Sequence, residues 1–220
     1  MSYDKKKDGS EEKKAVKENI FKKTLWDQDD VSKRKLFIIE RMDNLLALGI
    51  RYWDTQEGKF DFKYGTAAYL RYEEADILLS TLKGAVTNVE FTLAHPENAN
   101  KGIVYSAIID IPKREGKYNG ITVDAKVQDD VVIFGVKIDN GTKADYVLFE
   151  GLYTAKVSVN KSVVDVVNNP ALLEFKTLVT ALESYLTDSM RNGNFVQKMI
   201  GGTPSGGGRH QSADDGEYPF

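Results

Sequence analysis

Residues 59–82 read KFDFKYGTAAYLRYEEADILLSTL, and the spacing of the apolar residues changes within this stretch. At its start aromatic and charged residues alternate, with Phe60, Phe62 and Tyr64 on one side, which is typical of a β-strand. From Glu73 onward the apolar residues have the spacing of a helix that buries one face. They are Ala75, Leu78, Leu79 and Leu82. The stretch therefore predicts a strand followed by an amphipathic helix.

The residues before this stretch predict two more strands. Residues 35–42 and 45–53 are largely apolar and are separated by Asp43-Asn44, a dipeptide typical of turns. A single helix over 31–48 is the alternative, because short apolar runs fit either structure. Gln56-Glu57-Gly58 then predicts a turn into the strand that begins at Lys59.

After the first helix, which Gly84 is expected to end, strands and a helix recur. Strands are predicted at 89–93, 104–111, 121–127, 131–138, 146–149 and 153–159. Asp139-Asn140-Gly141 predicts a type I′ hairpin turn, and Pro170 opens the second amphipathic helix. The predicted fold class is thus α+β, with antiparallel β-sheets and two amphipathic helices in two tandem units of strands followed by a helix.

The composition excludes several classes of protein and site. The chain has 220 residues, no cysteine and two histidines, so disulfides, thiolate metal sites, cysteine nucleophiles and histidine-based centres are not expected. No cofactor and no metal is predicted. No apolar run is long enough to span a membrane, and the N-terminus lacks the apolar segment of a secretory signal.

Charge and glycine content divide the chain into four parts. Residues 1–24 hold eight lysines against five acidic residues, so 1–30 is predicted to be a flexible lysine-rich arm. Residues 31–195 contain the predicted strands and helices. The glycine-rich segment 196–211 is predicted to be a flexible linker, and residues 212–220, SADDGEYPF, form an acidic tip.

The tip has the chemistry of a tethered ligand for another protein. The ring of Phe220 and its α-carboxylate can enter one pocket together, and the acidic residues before it are attracted to a basic rim. The residues expected to contact a partner protein are Asp214, Asp215, Glu217, Tyr218, Pro219 and Phe220. This end resembles the acidic tip of single-stranded-DNA-binding proteins from bacteria and their phages. Tyr218 stands where an aliphatic residue is usual in that family, and Gly216 replaces an acid.

The resemblance implies a function and a place of action. It implies a non-enzymatic protein that binds single-stranded DNA with low sequence specificity, in the cytoplasm of a bacterium or an infected host cell. Its tip would recruit a polymerase, helicase, primase or nuclease during DNA replication, recombination or repair. The tandem of strands and helix is similar in topology to the PC4/Whirly type of single-strand binder, and an elaborated OB-fold is the alternative. Whether the chain forms a homo-oligomer stays open.

Binding of single strands requires aromatic rings for base stacking beside basic residues for phosphates. Aromatic and basic residues adjoin at several places in the body of the chain. The expected DNA-binding residues are Arg51, Trp53, Lys59, Lys63, Tyr64, Arg71, Lys113, Arg114, Lys117 and Tyr118. Phe60, Phe62 and Phe91 are expected in the core instead.

Two other functions remain as alternatives. The first is an adaptor that uses the tip to dock a replication enzyme without binding DNA itself. The second is a Mg²⁺-dependent nuclease, because Asp110 followed by Asp124-Ala125-Lys126 is similar to the paired carboxylates and lysine of such enzymes. On a half-exposed strand these residues are more often a solvated face.

Overall fold

A computed structural model of the chain describes residues 17–25, 30, 33–42, 45–95, 97, 102–112, 118–128, 131–150, 156–159, 162–165 and 169–191. For residues 62–64, 112, 118, 119, 156–159 and 162–165 the description covers the backbone only. The predicted linker at 196–211, the acidic tip at 212–220 and the first 16 residues of the predicted arm lie outside these ranges.

The first unit begins with a four-stranded antiparallel sheet. Its strands, in spatial order, are β1 (Lys17–Leu25), β2 (Lys35–Met42), β3 (Leu45–Asp54) and β4 (Lys59–Leu70). Met42 pairs with Leu45, so the two predicted strands are confirmed and the single helix over 31–48 is wrong. Residues 17–25, predicted as part of a flexible arm, form β1 because Ile20, Phe21 and Leu25 pack against the core.

The alternation predicted for 59–64 is interrupted within β4. Ile50 of β3 faces Thr66 while Tyr52 faces Asp61, so one residue of β3 is matched by the four residues 62–65 of β4. Extra residues of this kind bend a strand and increase its twist. Gly65 allows the bend, because a Cβ there would stand 3.0 Å from the carbonyl carbon of Ile50.

The helix that closes the first unit is longer than predicted. α1 (Tyr72–Ala94) continues through Gly84 to Ala94, so the strand predicted at 89–93 is wrong. The β-branched residues there follow the helical stripe, and Val89 is fully buried. Phe91, expected in the core, is 59% exposed. Gly84 instead allows α1 to pack closely against Tyr105, because a Cβ at position 84 would lie 2.8 Å from the hydroxyl oxygen of Tyr105.

The second unit begins with another four-stranded antiparallel sheet. Its strands, in spatial order, are β5 (Gly102–Pro112), β6 (Tyr118–Gln128), β7 (Val131–Asp139) and β8 (Ala144–Phe149). The hairpin predicted at 139–141 is confirmed, but its loop has four residues rather than the two of a type I′ turn, because Asp139 pairs with Ala144. The Oδ1 atom of Asn140 accepts hydrogen bonds from the backbone N–H groups of Thr142 and Lys143.

A small hairpin and a helix complete the second unit. β9 (Lys156–Val159) pairs with β10 (Ser162–Asp165), a strand that the sequence did not predict, and α2 (Pro170–Arg191) starts at the predicted proline. The α+β class with two sheets and two helices is therefore confirmed. The two four-stranded sheets are separate, unlike the single partly closed barrel of an OB-fold.

The two helices lie side by side and cover one face of the second sheet. α1 packs on β5 and β6, and α2 packs on β7 and also on β1. The helices are antiparallel, since Lys83 pairs with Glu183 and Lys176 pairs with Glu90. Phe175 of α2 stacks on Phe134 at 4.0 Å between ring centroids and forms the centre of the core. Among the described residues, neither helix has the length and apolar content needed to cross a membrane.

The sheets contact each other where β3 and β4 approach β7 and β8. Here the hydroxyl groups of Tyr52 and Thr66 each donate a hydrogen bond to one carboxylate oxygen of Asp145. The Nζ of Lys35 lies 5.2 Å from the centre of the Tyr52 ring and donates to the backbone carbonyl of Tyr146 at 3.3 Å. This group of polar contacts, which we call the sheet junction, fixes β8 against the first sheet.

Candidate nucleic-acid interface

The second sheet buries one face and exposes the other. Val123, Val136 and Val147 form a row of cross-strand neighbours and are at most 1% exposed, because this side faces the helices. We call the opposite side the outer face. Its residues include Ile103, Ser106, Ile108, Thr122, Asp124, Lys126, Gln128, Val131, Ile133, Lys137, Tyr146 and Leu148.

Large apolar side chains are unusually exposed on the outer face. Ile103, Ile108 and Val131 are 65%, 68% and 57% exposed, and Tyr146 is 40% exposed. Exposed apolar side chains also occur on both helices, for example Phe91 and Met190, but four on one side of one sheet form a candidate binding surface. Apolar and aromatic groups on a sheet suit apolar ligand groups.

Tyr146 lies along the surface of the sheet over Gly135. A Cβ at position 135 would stand 2.5 Å from the Cζ atom of Tyr146, so the glycine makes room for the ring. Burial, and to a lesser degree the negative charge of Asp124, raises the pKa of the Tyr146 hydroxyl. Tyr146 is therefore a neutral, partly exposed ring supported from below by the backbone of β7.

Two lysines carry positive charge on the outer face. Lys137 is the direct neighbour of Tyr146 on the adjacent strand, and Lys126 lies between Ile103 and Ile133. Both are exposed, and neither forms an ion pair within the part of the chain that the structure describes. Thr122 pairs with Lys137 and precedes Lys126 by four residues, so the two lysines are about 13 Å apart along the strands.

Carboxylates on the outer face are placed at defined positions. Asp124 accepts a hydrogen bond from the Ser106 hydroxyl at 2.6 Å. Asp139 accepts a hydrogen bond from the backbone N–H of Gly141 at 2.8 Å. Asp110, Gly120 and Asp139 form one cross-strand row next to the β7–β8 turn, which we call the acidic row. The acidic row thus lies at one end of the sheet, away from Lys126.

The same geometry bears on the predicted nuclease site. Asp124 pairs with Ser106, which precedes Asp110 by four residues, so the two carboxylates are about 13 Å apart along the strands. Oxygens that bind one Mg²⁺ at about 2.1 Å lie no more than about 4 Å apart. Asp110 and Asp124 therefore do not form a shared metal site, although both are on the outer face.

Arg51, one of the expected DNA-binding residues, is held by a buried carboxylate. Its guanidinium lies 2.5 Å from Glu40, whose side chain is 4% exposed. Both residues are on the side of the first sheet that faces away from Tyr52. Arg51 is therefore the counter-ion of Glu40. Its guanidinium neutralises the buried carboxylate, which explains why an arginine stands at position 51.

The other described members of that set lie around the β3–β4 turn and the start of α1. Trp53 is half-buried and packs edge-to-face on Phe60, with ring centroids 5.0 Å apart. Lys59 is exposed and pairs with Glu57 at 3.2 Å. Arg71 precedes α1, and its backbone N–H donates to Glu74 at 2.7 Å. By the strand register Trp53 shares a side of the sheet with Phe60 while Lys59 lies on the opposite side, and Arg71 lies at the other end of β4, so the structure does not bring the three together.

The remaining predicted site residues are not tested by these contacts. Lys63, Tyr64 and Tyr118 are described by their backbone only. The basic residues of the predicted hairpin tip, Lys113, Arg114 and Lys117, and the tip residues Asp214 to Phe220 lie outside the described residues.

The sequence reasoning missed the outer face. Lys137, Tyr146 and Ile108 become neighbours only through the pairing of β5 to β8. Part of the signal was present in β6, where Thr122, Asp124 and Lys126 alternate with buried residues. In β5, Ile108 and Ile109 are both apolar, so alternation alone does not show which one is exposed.

Comparison with known proteins gives structural neighbours only. No protein-family model matches the chain, and no curated protein matches its sequence. The fold is similar to crystal structures of MRP1/MRP2 from Trypanosoma brucei, with 12% identity and a TM-score of 0.39 over 78% of this chain and 87% of that chain.

Two plant structures are similar to about the same degree. For WHY1 from Arabidopsis thaliana the identity is 11% and the TM-score 0.39, over 84% of this chain and 97% of that chain. For the plant transcriptional regulator PBF-2 they are 11% and 0.35, over 88% and 90%. At this level of identity these structures do not tell what this chain binds.

Proposed function

We propose that the protein binds single-stranded DNA through the outer face of the second sheet, without catalysing a reaction on it. The observation that carries the proposal is one surface that combines exposed apolar groups, the Tyr146 ring and two lysines that form no ion pair with any residue the structure describes. Unpaired bases have apolar faces that stack on such groups, and phosphates are attracted to the lysines. In a duplex the base faces are stacked on one another, so few of them are available to contact the outer face.

Binding of this kind tolerates most sequences. Every base has a face that can stack, and the lysine–phosphate attraction does not depend on the base. Trp53, Lys59, Lys63, Tyr64, Arg71, Lys113, Arg114, Lys117 and Tyr118 stay candidates for further contacts to the strand, separate from the outer face. Arg51 is a weaker member of this set because Glu40 holds its guanidinium.

The tip completes the proposal. Residues 212–220, carried by the linker at 196–211, recruit a replication, recombination or repair enzyme, with Phe220 as the anchor and Asp214, Asp215 and Glu217 as electrostatic guides. The resemblance of the tip to those of bacterial and phage single-strand binders supports action in the cytoplasm of a bacterium or of an infected cell.

The test is a titration of a labelled single strand, followed by fluorescence anisotropy, with and without Mg²⁺. Tyr146→Ala is expected to weaken binding by about 1–3 kcal/mol, the usual contribution of one stacked base. Tyr69→Ala is the matched control, because Tyr69 is 46% exposed but lies on the first sheet. Equal losses from both variants would contradict the assignment of the interface.

The charge contribution is tested by salt dependence. Replacing Lys126 and Lys137 together by Gln should reduce the log–log salt slope by about 1.4, since each phosphate contact to a single strand contributes about 0.7. The double change of Lys17 and Lys22 to Gln, on the first sheet, removes the same charge and should leave the slope unchanged.

Two results would replace the proposal by an alternative. Absence of binding to any single strand, with tip-dependent capture of a replication enzyme retained, would favour the adaptor. Mg²⁺-dependent cutting that is lost in Asp110→Ala or Asp124→Ala would favour the nuclease. We expect these two variants to bind DNA like the wild type.

A further inference from the structure

A shallow cleft of ≈ 270 Å³ lies on the outer face at the end of the β6–β7 hairpin. It is lined by Lys126 and Gln128 from β6 and by Val131 and Ile133 from β7. Lys126 pairs with Ile133 and Gln128 pairs with Val131, so the four side chains form two cross-strand rows. One side of the cleft is therefore polar and the other side is aliphatic.

The two sides limit the class of ligand. A phosphate would leave the aliphatic side, where Val131 is 57% exposed, facing water. An apolar side chain of a partner protein would cover Val131 and Ile133 but form no hydrogen bond with the Gln128 amide or the Lys126 ammonium, both of which are exposed. A nucleobase satisfies both sides, because its faces are apolar and its edge carries hydrogen-bond donors and acceptors.

We propose that this cleft binds a single unpaired base and that Gln128 makes it selective for guanine. The inference rests on the proposed function and adds a base-specific position to it. Lys126 offers only donors, which suit the O6 and N7 acceptors of guanine. Gln128 offers a carbonyl oxygen that accepts from the N1–H and N2–H groups of the same base. Thymine and adenine present fewer matching groups to this pair.

The selectivity is limited to one position of the bound strand. The rest of the outer face, including Tyr146 and Lys137, contacts bases and phosphates without regard to sequence. Low overall specificity and a preference at the cleft are therefore compatible. A guanine anywhere in an otherwise uniform strand shifts the protein along the strand until that base enters the cleft.

The test compares two labelled strands of about 15 nucleotides, within the range that one single-strand-binding module covers. One contains thymine only, and the other has one central guanine. The wild type should bind the guanine strand roughly fivefold more tightly or better. Replacing the guanine by 7-deazaguanine or by hypoxanthine, which lack N7 and the N2 amino group respectively, should each remove part of the gain.

The variant Gln128→Leu separates this proposal from the one on which it rests. It should lose most of the guanine preference, so that the ratio of its affinities for the two strands falls from roughly fivefold to about one, because leucine cannot accept from N1–H and N2–H. Gln56→Leu, in the exposed β3–β4 turn, is the matched control and should keep the preference.

Each outcome decides one of the two proposals. Equal affinity of the wild type for both strands, or a guanine preference that survives Gln128→Leu, would overturn the assignment of the cleft and leave binding through the outer face in place. Absence of binding to either strand would overturn the proposed function as well.

Discussion

The hydroxyl group of Tyr52 in β3 donates a hydrogen bond to the carboxylate of Asp145 in β8, 93 positions later in the chain. Thr66 of β4 donates to the second oxygen of the same carboxylate. The next residue, Tyr146, has its side chain on the outer face. The sheet junction and the proposed DNA surface therefore lie on opposite sides of one strand, and the contacts of Asp145 hold the strand that presents Tyr146.

The sheet junction should make stability fall at high pH. Burial, followed by the hydrogen bond and the charge of Asp145, raises the pKa of Tyr52 far above its ordinary value of 10.0. Below pH 10 the folded and unfolded chains both keep this proton, so the contribution is fully present. Above pH 10 only the unfolded chain releases it, and stability is lost as the pH rises toward the folded pKa.

Urea unfolding between pH about 8 and about 11 measures this loss. Tyr52→Phe should be less stable at the lower pH, by about 1 kcal/mol for the missing hydrogen bond, and should show a smaller decline above pH 10. Tyr69→Phe, at a tyrosine that is 46% exposed, is the control and should decline like the wild type. A Tyr52→Phe variant with an unchanged decline would contradict the prediction.

Arg51 should contribute more to the free energy of unfolding than to DNA affinity. Arg51→Met leaves the Glu40 carboxylate, which is 4% exposed, without its counter-ion, and we expect a loss of about 3 kcal/mol in the free energy of unfolding. Combining it with Glu40→Leu should recover much of the loss, because no buried charge then remains. Chemical denaturation followed by circular dichroism measures both. If Arg51→Met left the free energy of unfolding unchanged, the Glu40 carboxylate would not require Arg51 as its counter-ion, and the prediction would be wrong.

Gly84→Ala should destabilise α1, although alanine is the better helix former. The new Cβ would lie 2.8 Å from the Tyr105 hydroxyl oxygen and 3.2 Å from two ring carbons, so the Tyr105 ring or α1 itself has to shift. We expect a loss of about 1–2 kcal/mol, measured by thermal unfolding. In a Tyr105→Leu background the same change should be neutral or stabilising by up to about 1 kcal/mol.

Deleting residues 212–220 should leave unfolding unchanged and raise affinity for single strands at low salt. The proposed linker would tether the acidic residues near the lysines, where they would compete with phosphates at a millimolar effective concentration. The increase should shrink with added salt, since screening weakens the competition. Phe220→Ala should retain the competition but lose enzyme recruitment, as measured by pull-down with a replication enzyme. Weaker binding by the truncated protein would make the tip part of the DNA site.

Much of the fold follows from local pattern. The strands on either side of residues 43–44, the turn at 58, the four strands of the second sheet and the start of α2 at Pro170 were predicted, because turn residues and alternation are local signals. The error at 89–93 arose where β-branched residues and a glycine suggested a strand but tertiary packing favoured a helix. Packing against the sheet buries Val89, and Gly84 is required by Tyr105 rather than by a helix end.

The candidate site was harder to predict than the fold. Adjacent aromatic and basic residues, such as Arg51-Tyr52-Trp53, suggested a binding surface, but neighbours along a strand point to opposite sides. Tyr52 accordingly enters the sheet junction and Arg51 pairs with Glu40. Lys137 and Tyr146 are nine positions apart in sequence and become neighbours only through the register of β7 and β8. Such a surface requires the strand pairing to be known.

The ion pair of Lys23 in β1 with Glu174 in α2 spans 151 positions and has a consequence for synthesis of the chain. Ribosomes add about 5–20 residues per second, so roughly 8 to 30 s pass between the appearance of these two residues. Until α2 has been made, β1 has its pairing with β2 and the contact of Lys23 with the Phe149 ring, but neither the Glu174 carboxylate nor the packing on α2. The first strand of the fold therefore reaches its final set of contacts only when the last helix has been synthesised.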